Sequence, residues 1–238
     1  MTGAGSYENQ AIVDVVFQKT SRVVADMARY PLPASDMATL IMAILAASRD
    51  ACDAPVRVLD FGGAAGIHAF TFRHAFPEMP LRWAVVETAA MAEQCQSLAD
   101  EGLRYFNSIE DGLGWLGGVD VVNCSSAIQY VPDPEVTVRR LLASAPRYVS
   151  MSRTPLCKGE RHTRIQTSML GDNGPGPLPE GMENYEISYP VTFVNRANFF
   201  ALFEPQYRRI VSLDLKPFGM EENGIPIMQF NCLFKRTS

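Results

Sequence analysis

The chain has 238 residues, 47% of them hydrophobic, which suits one α/β domain with embellishments and a core large enough to stand without staples. A formal net charge of -5, with no basic run interleaved with aromatics, argues against a nucleic-acid-binding surface. Five scattered cysteines (Cys52, Cys95, Cys124, Cys157 and Cys232) form no C-x-x-C pair, so they read as reduced thiols of a cytoplasmic protein with no metal site.

Residues 1–9 are polar and show no signal peptide, and the longest apolar run, near 37–47, is too short to span a bilayer. In residues 8–29 the apolar positions Ile12, Val15, Val16, Val23, Val24 and Met27 fit one or two amphipathic helices, closed by Pro31 and Pro33. Ser35 is placed to cap a second helix over 36–49. The pattern then changes to short apolar strands separated by helices. Strands are expected at 56–61, 81–87, 103–106, 119–125 and 147–151, with helices at 67–75, 91–99, 109–116 and 134–144. This alternation predicts a doubly wound, mostly parallel sheet. Residues 155–190 are rich in Gly, Pro and polar residues and read as a long lid or substrate loop. A helix at 195–203 and two strands at 207–215 and 227–235, paired antiparallel, complete an expected seven-stranded sheet. The division is one domain over 1–238: an N-terminal helical lid (1–50), a cofactor-binding core (56–153), the loop (154–190) and a C-terminal helix with antiparallel strands (191–238).

The most specific signal is V-L-D-F-G-G-A-A-G, residues 58–66. An apolar strand carries Asp60 to its carboxyl end, and a turn holding Gly62, Gly63 and Gly66 leads into a helix. Ligands of open α/β sheets bind at such ends, glycines admit close backbone approach, and helix N-terminal amides suit a carboxylate. A dinucleotide pattern starting at Gly62 would need glycine where Ala64 and Ile67 stand. Asp60 would also face an anionic pyrophosphate, whereas it suits the cationic amino-acid end of S-adenosylmethionine (SAM). Glu87, ending the second strand, can accept ribose hydroxyls, in a NAD site as in a SAM site.

With L-D-F-G-G at 59–63, Q-Y-V-P-D-P at 129–134 and R-T-P at 153–155, the chain resembles the class I SAM-dependent methyltransferases, in particular an uncharacterised bacterial group. The resemblance runs from about Val56 to the C-terminus and implies a Rossmann-like fold. It implies that Asp60, Gly62 and Gly66 hold the methionine part, that Glu87 holds the ribose, and that Ser108 and Ile109 flank the adenine. It places Cys124, Ser125 and Ser126 around the sulfonium, and Gln129 and Tyr130 near the transfer site.

Transfer from a sulfonium needs alignment and exclusion of water, and a base only where the acceptor is a hydroxyl. Candidate bases are few. His162 reads first as a solvated loop residue and second as a base, and His68 and His74 fall on the helix after the glycine turn. Arg153, better placed than Arg161 or Arg164, suits an anionic acceptor. Tyr130, Tyr185, Tyr189 and Phe193 make an aromatic box around a cation, or alternatively pack the lid onto the domain. These residues point to a methyltransferase acting on a small molecule, as in secondary-metabolite biosynthesis. Three alternatives stay open: an intramolecular SAM cyclase that makes azetidine-2-carboxylate and methylthioadenosine, an NAD-dependent oxidoreductase, and a non-catalytic SAM-fold binding protein. Oligomeric state is left open.

Overall fold

The computed structural model describes residues 9–29, 34–51 and 54–237. Pro31, Pro33 and Cys52 lie outside them. Two helices, α1 (Gln10–Ala25) and α2 (Ala34–Ala51), precede β1 (Val56–Phe61), α3 (Ile67–Ala75), β2 (Leu81–Val86), α4 (Ala89–Gln94), β3 (Leu103–Phe106), α5 (Ile109–Leu116), β4 (Val121–Ser125), α6 (Pro134–Ala143) and β5 (Tyr148–Cys157). Then come β6 (His162–Met169), β7 (Glu186–Asn195), α7 (Arg196–Ala201), β8 (Tyr207–Glu222) and β9 (Ile225–Arg236). Because α2 already begins at Ala34, Ser35 sits inside the helix rather than at its cap.

The strands β3, β2, β1, β4 and β5 lie side by side and parallel. β9 adds antiparallel to β5, and β8 antiparallel to β9. The core of this sheet is mostly parallel, as expected, but with β7 and β6 joined beyond β5 it has nine strands rather than seven. β1 is flanked by β2 on one side and by β4 on the other, so the carboxyl ends of these strands form the switch point at which open α/β sheets bind ligands.

Alternate side chains of each strand feed two cores. Val58, Trp83, Val85 and Val121 face α1–α4, and Leu59, Ala84, Val86 and Val122 face α5–α7. Continuous apolar strands such as Val121–Ser125, buried at every position, are what a sheet covered on both faces requires.

The reading of 155–190 as a loop is corrected. β5 runs on to Cys157, and the segment holds two further strands, making nine among the described residues. β6 and β7 pair antiparallel from His162↔Phe193 to Met169↔Glu186. Hydroxyl pairs across the ladder, Thr163 with Thr192 (2.9 Å) and Thr167 with Ser188 (2.8 Å), fasten it. The glycines and prolines that suggested a loop fall between these strands, at 171–181. β7 docks on the end of β5 at Leu156↔Val194 and Cys157↔Asn195. α1 touches α3, α4 and the turn at Leu170–Asp172. Its buried Lys19 donates to the Gly171 carbonyl at 2.6 Å, tying the first helix to the hairpin. Burial lowers the Lys19 pKa, while Asp172 nearby opposes the shift.

Candidate functional site

The turn after β1 is set by backbone conformation. Gly62 has φ +67°, and a β-carbon there would overlap the Ala127 side chain on the loop after β4. Gly66, at φ +83°, caps α3 and leaves room for the Tyr105 hydroxyl, which donates to the Ala65 carbonyl at 3.0 Å. Ala64 itself is left-handed at φ +51°. The Gly62 amide donates to the Val86 carbonyl at 2.8 Å, which fixes the turn against the tip of β2.

Asp60 lies under this turn with no exposed surface. Its Oδ1 accepts from Asn123 Nδ2 (2.7 Å), its Oδ2 from Trp83 Nε1 (3.3 Å), and His68 Nδ1 stands 3.3 Å from Oδ2. Gly63 passes directly over the carboxylate, where any β-carbon would meet Oδ2 at 2.6 Å. Asp60 therefore supports the turn from beneath, with no surface open to the outside. His68, buried beside it, belongs to this support rather than to the surface.

Glu87 reaches the same turn from β2. Its Oε1 accepts the Ala64 amide (3.0 Å) and its Oε2 the Thr88 amide (2.9 Å). Burial raises its pKa, the two amides oppose that, and Asp60 adds to it. At the tip of β3, Ser108 is engaged as the N-cap of α5, its hydroxyl accepting the Asp111 amide at 3.1 Å. Ile109 and Cys124 are buried in the core against α5–α7. Burial pushes the Cys124 thiol up to about 12, which leaves it a protonated packing group.

At the ends of β4 and β5 the polar residues converge. Ser126 is left-handed at φ +53°, and its hydroxyl accepts from Gln129 Nε2 at 3.1 Å. Buried Gln129 leaves its Oε1 without a hydrogen-bond partner. Arg153, also left-handed at φ +50°, directs its Nε to the Ser125 hydroxyl at 3.2 Å. Tyr130 donates to Gln166 Oε1 at 3.1 Å and meets Tyr189 edge-on, ring centroids 5.5 Å apart. Tyr189 is buried and shares its hydroxyl with Ser168 at 3.0 Å. Burial pushes the Tyr130 phenol up to about 12, with Tyr189 adding to it, so it stays protonated.

Two expected members stand apart. Tyr185 lies just outside β7 with its side chain 41% exposed. His162 opens β6, four residues from Gln166, which is ~13 Å along a strand. Its neighbours are Glu160, Phe193 and Glu222. Gln166 and Ser168 were missed because the segment carrying them read as loop. Arg161 and Arg164 face outward, onto Pro132 and Glu221. A hollow of about 690 Å³, lined by Val56, Phe76 and Met79, opens at the opposite end of β1 and holds none of this chemistry.

No protein-family model matches the sequence, and no curated protein does. Solved structures do. SAM-bound CalS10, an amino pentose methyltransferase from Micromonospora echinaspora involved in calicheamicin biosynthesis, is 17% identical, covering 90% of this chain and 97% of that one with a TM-score of 0.52. A SAM-dependent methyltransferase from Clostridium acetobutylicum ATCC 824 is 8% identical, covering 93% and 99%, with a TM-score of 0.51. The likeness shows the fold: this chain has the Rossmann-like architecture of class I SAM-dependent methyltransferases. Among the described residues no helix is long and apolar enough to cross a membrane.

Proposed function

We propose that the protein is a SAM-dependent methyltransferase acting on a small molecule. The observation that carries this reading is the meeting of two carboxylates at one glycine turn: Asp60 beneath it and Glu87 bonded across it to Ala64, at the switch point of the sheet. The residues fit SAM. Gly62 and Gly66 hold the left-handed backbone that shapes the turn, and Gln129 Oε1, on the loop after β4, is a buried acceptor without a partner. Turn amides and the start of α3 would hold the methionine carboxylate, the field of Asp60 would favour its ammonium, and Glu87 would take the ribose hydroxyls. Ser108 and Ile109 would border the adenine, and Ser125 and Ser126 the sulfur. SAM supplies a methyl carbon already made electrophilic by its sulfonium.

The chain's own contribution is positioning. Tyr130 and Tyr189 exclude water, and the fixed phenol of Tyr130 orients an acceptor by hydrogen bonding. Arg153 adds a positive charge that suits an acceptor bearing an anionic group. Placing reactants in line lowers a barrier by up to ~7–11 kcal/mol. An acceptor with its own lone pair, such as an amine, then needs no strong base. The activity of the amino pentose methyltransferase supports an acceptor of that size.

Incubating the protein with SAM alone tests the reading. Binding of SAM and of its demethylated product, S-adenosylhomocysteine, with SAM left intact, is expected. Release of methylthioadenosine would instead reassign the protein as a SAM cyclase, and absence of binding would end the proposal.

A further inference from the structure

Away from the switch point, three elements bring different ligand atoms together. Cys157 ends β5, His162 begins β6, and Glu222 ends β8. The thiol sulfur, a ring nitrogen and a carboxylate oxygen lie within 4.8 Å of one another, the one such group among the described residues. His162 Nδ1 is 3.9 Å from Glu222 Oε1 and 2.9 Å from the Glu160 carbonyl oxygen, which is itself 3.5 Å from Cys157 Sγ. Ligand atoms around a tetrahedral zinc ion, with bonds of ~2.0–2.3 Å, stand ~3.3–3.8 Å apart.

The surroundings are rich in acceptors. Cys157 Sγ faces the carbonyls of Gly159 and Glu160 (3.5 Å each) and Phe193 (3.7 Å), three acceptors for one weak donor. With its proton on Nδ1, His162 satisfies the Glu160 carbonyl but leaves a buried Nε2 lone pair unpartnered. With the proton on Nε2, the Nδ1 lone pair confronts a carbonyl and a carboxylate oxygen. A cation relieves that conflict.

Glu222 is already oriented for the task. Its Oε2 accepts the amides of Lys158 (3.2 Å) and Gly159 (3.1 Å), so Oε1 is turned inward. Gly159 lets Oε1 lie close against the backbone, where a β-carbon would push the Glu222 carboxylate aside. Such outer bonds are how proteins aim metal ligands. A cavity of about 40 Å³ bounded by Cys157 and Glu222 adjoins the group.

We propose that Cys157, His162 and Glu222, with the Glu160 carbonyl, bind a zinc-class divalent ion that pins the β5–β6 turn to the tip of the β8–β9 hairpin. Sulfur with imidazole selects zinc over magnesium or calcium. The ion anchors the hairpin bearing Gln166 and Tyr189, and the site stands independently of the methyl-transfer reading.

The test uses the full chain, stripped by chelator and titrated with cobalt(II). One equivalent is expected to bind with a thiolate-to-cobalt charge-transfer band in the near ultraviolet, displaced by zinc. Cys157→Ser should abolish the band, and Glu222→Gln should weaken zinc binding by at least ~10-fold, the lower bound for losing even an outer partner. Glu222→Gln decides the matter if Cys157→Ser does not fold. A wild-type protein that shows no band and retains no zinc overturns the proposal, as does a band that survives Cys157→Ser.

Discussion

Replacing Glu87 by glutamine is expected to weaken cofactor binding and to change how stability depends on pH. Each carboxylate oxygen of Glu87 accepts one amide, from Ala64 at 3.0 Å and Thr88 at 2.9 Å, and keeps a lone pair for a ribose hydroxyl. A hydrogen bond to a charged group contributes about 1.5–3 kcal/mol, and glutamine keeps only one acceptor oxygen, so the S-adenosylhomocysteine dissociation constant should rise about 10- to 100-fold. Burial holds the Glu87 pKa above its ordinary value against the pull of the two amides. A carboxyl raised in this way favours the folded state while it is protonated, below its unfolded pKa. It opposes folding once pH has risen through the folded pKa. Glutamine has no such transition. Whatever constant offset the lost amide bond imposes, the stability of Glu87→Gln minus that of the wild type should increase from acid to alkaline pH. Calorimetry with S-adenosylhomocysteine and thermal unfolding across that range measure the two effects. Wild-type affinity would refute the ribose assignment, and a stability difference that is flat with pH would refute the account of the buried charge.

Asp60→Ala removes the acceptor of Asn123 and Trp83, and should raise the SAM dissociation constant more than about tenfold while lowering the melting temperature; a direct ligand contact alone would leave the melting temperature unchanged. Gly62→Ala meets both the left-handed backbone and Ala127, and a loss of more than about 2 kcal/mol is expected in denaturant titration. Tyr130→Phe keeps the ring against Tyr189 and deletes the bond to Gln166, so steady-state kinetics with an acceptor should show kcat falling while S-adenosylhomocysteine binding is kept. At the other end of the sheet Asp120 is buried, which alone would raise its pKa, but Arg57 at 3.0 Å brings the net shift below the ordinary value. Its contribution is therefore present above the unfolded pKa and lost as pH falls through the folded one. Asp120→Asn should cost about 1–2 kcal/mol at neutral pH, discounted for the partly exposed Arg57, and nothing in strong acid, as read by urea titration.

The first five strands were legible because each is a short apolar run fed by a turn, and burial on both faces leaves no other reading for V-R-V-L-D-F or V-V-N-C-S. The glycine turn was legible because left-handed backbone and close approach both select that residue. β6 was not. Its sequence H-T-R-I-Q-T-S-M is exposed or half-buried along its length and carries no apolar alternation, so only its pairing with β7 makes it a strand. Missing β6 hid Gln166 and Ser168, and left His162 floating as a base when its neighbours are Cys157 and Glu222. Asp60 was found by position but given a direct contact, because nothing local shows that Asn123, Trp83 and His68 enclose it from other elements.

β5 shows why the acceptor side is harder to read than the cofactor side. Over Tyr148–Met151 it pairs regularly with β4 and β9, and between Met151 and Thr154 its register with β9 shifts. Arg153 absorbs the shift at φ +50°, a conformation costing about 1–3 kcal/mol for a residue with a side chain. Buried Asn231 holds it there, accepting the Arg153 amide at 2.7 Å. The consequence is directional: the guanidinium turns to Ser125 at the tip of β4, where a strand in regular register would carry it elsewhere. No local preference of R-T-P specifies that turn. It is dictated by β9, some eighty residues later in the chain, so the direction of the side chain proposed to meet an anionic acceptor is set by the most distant pairing in the sheet.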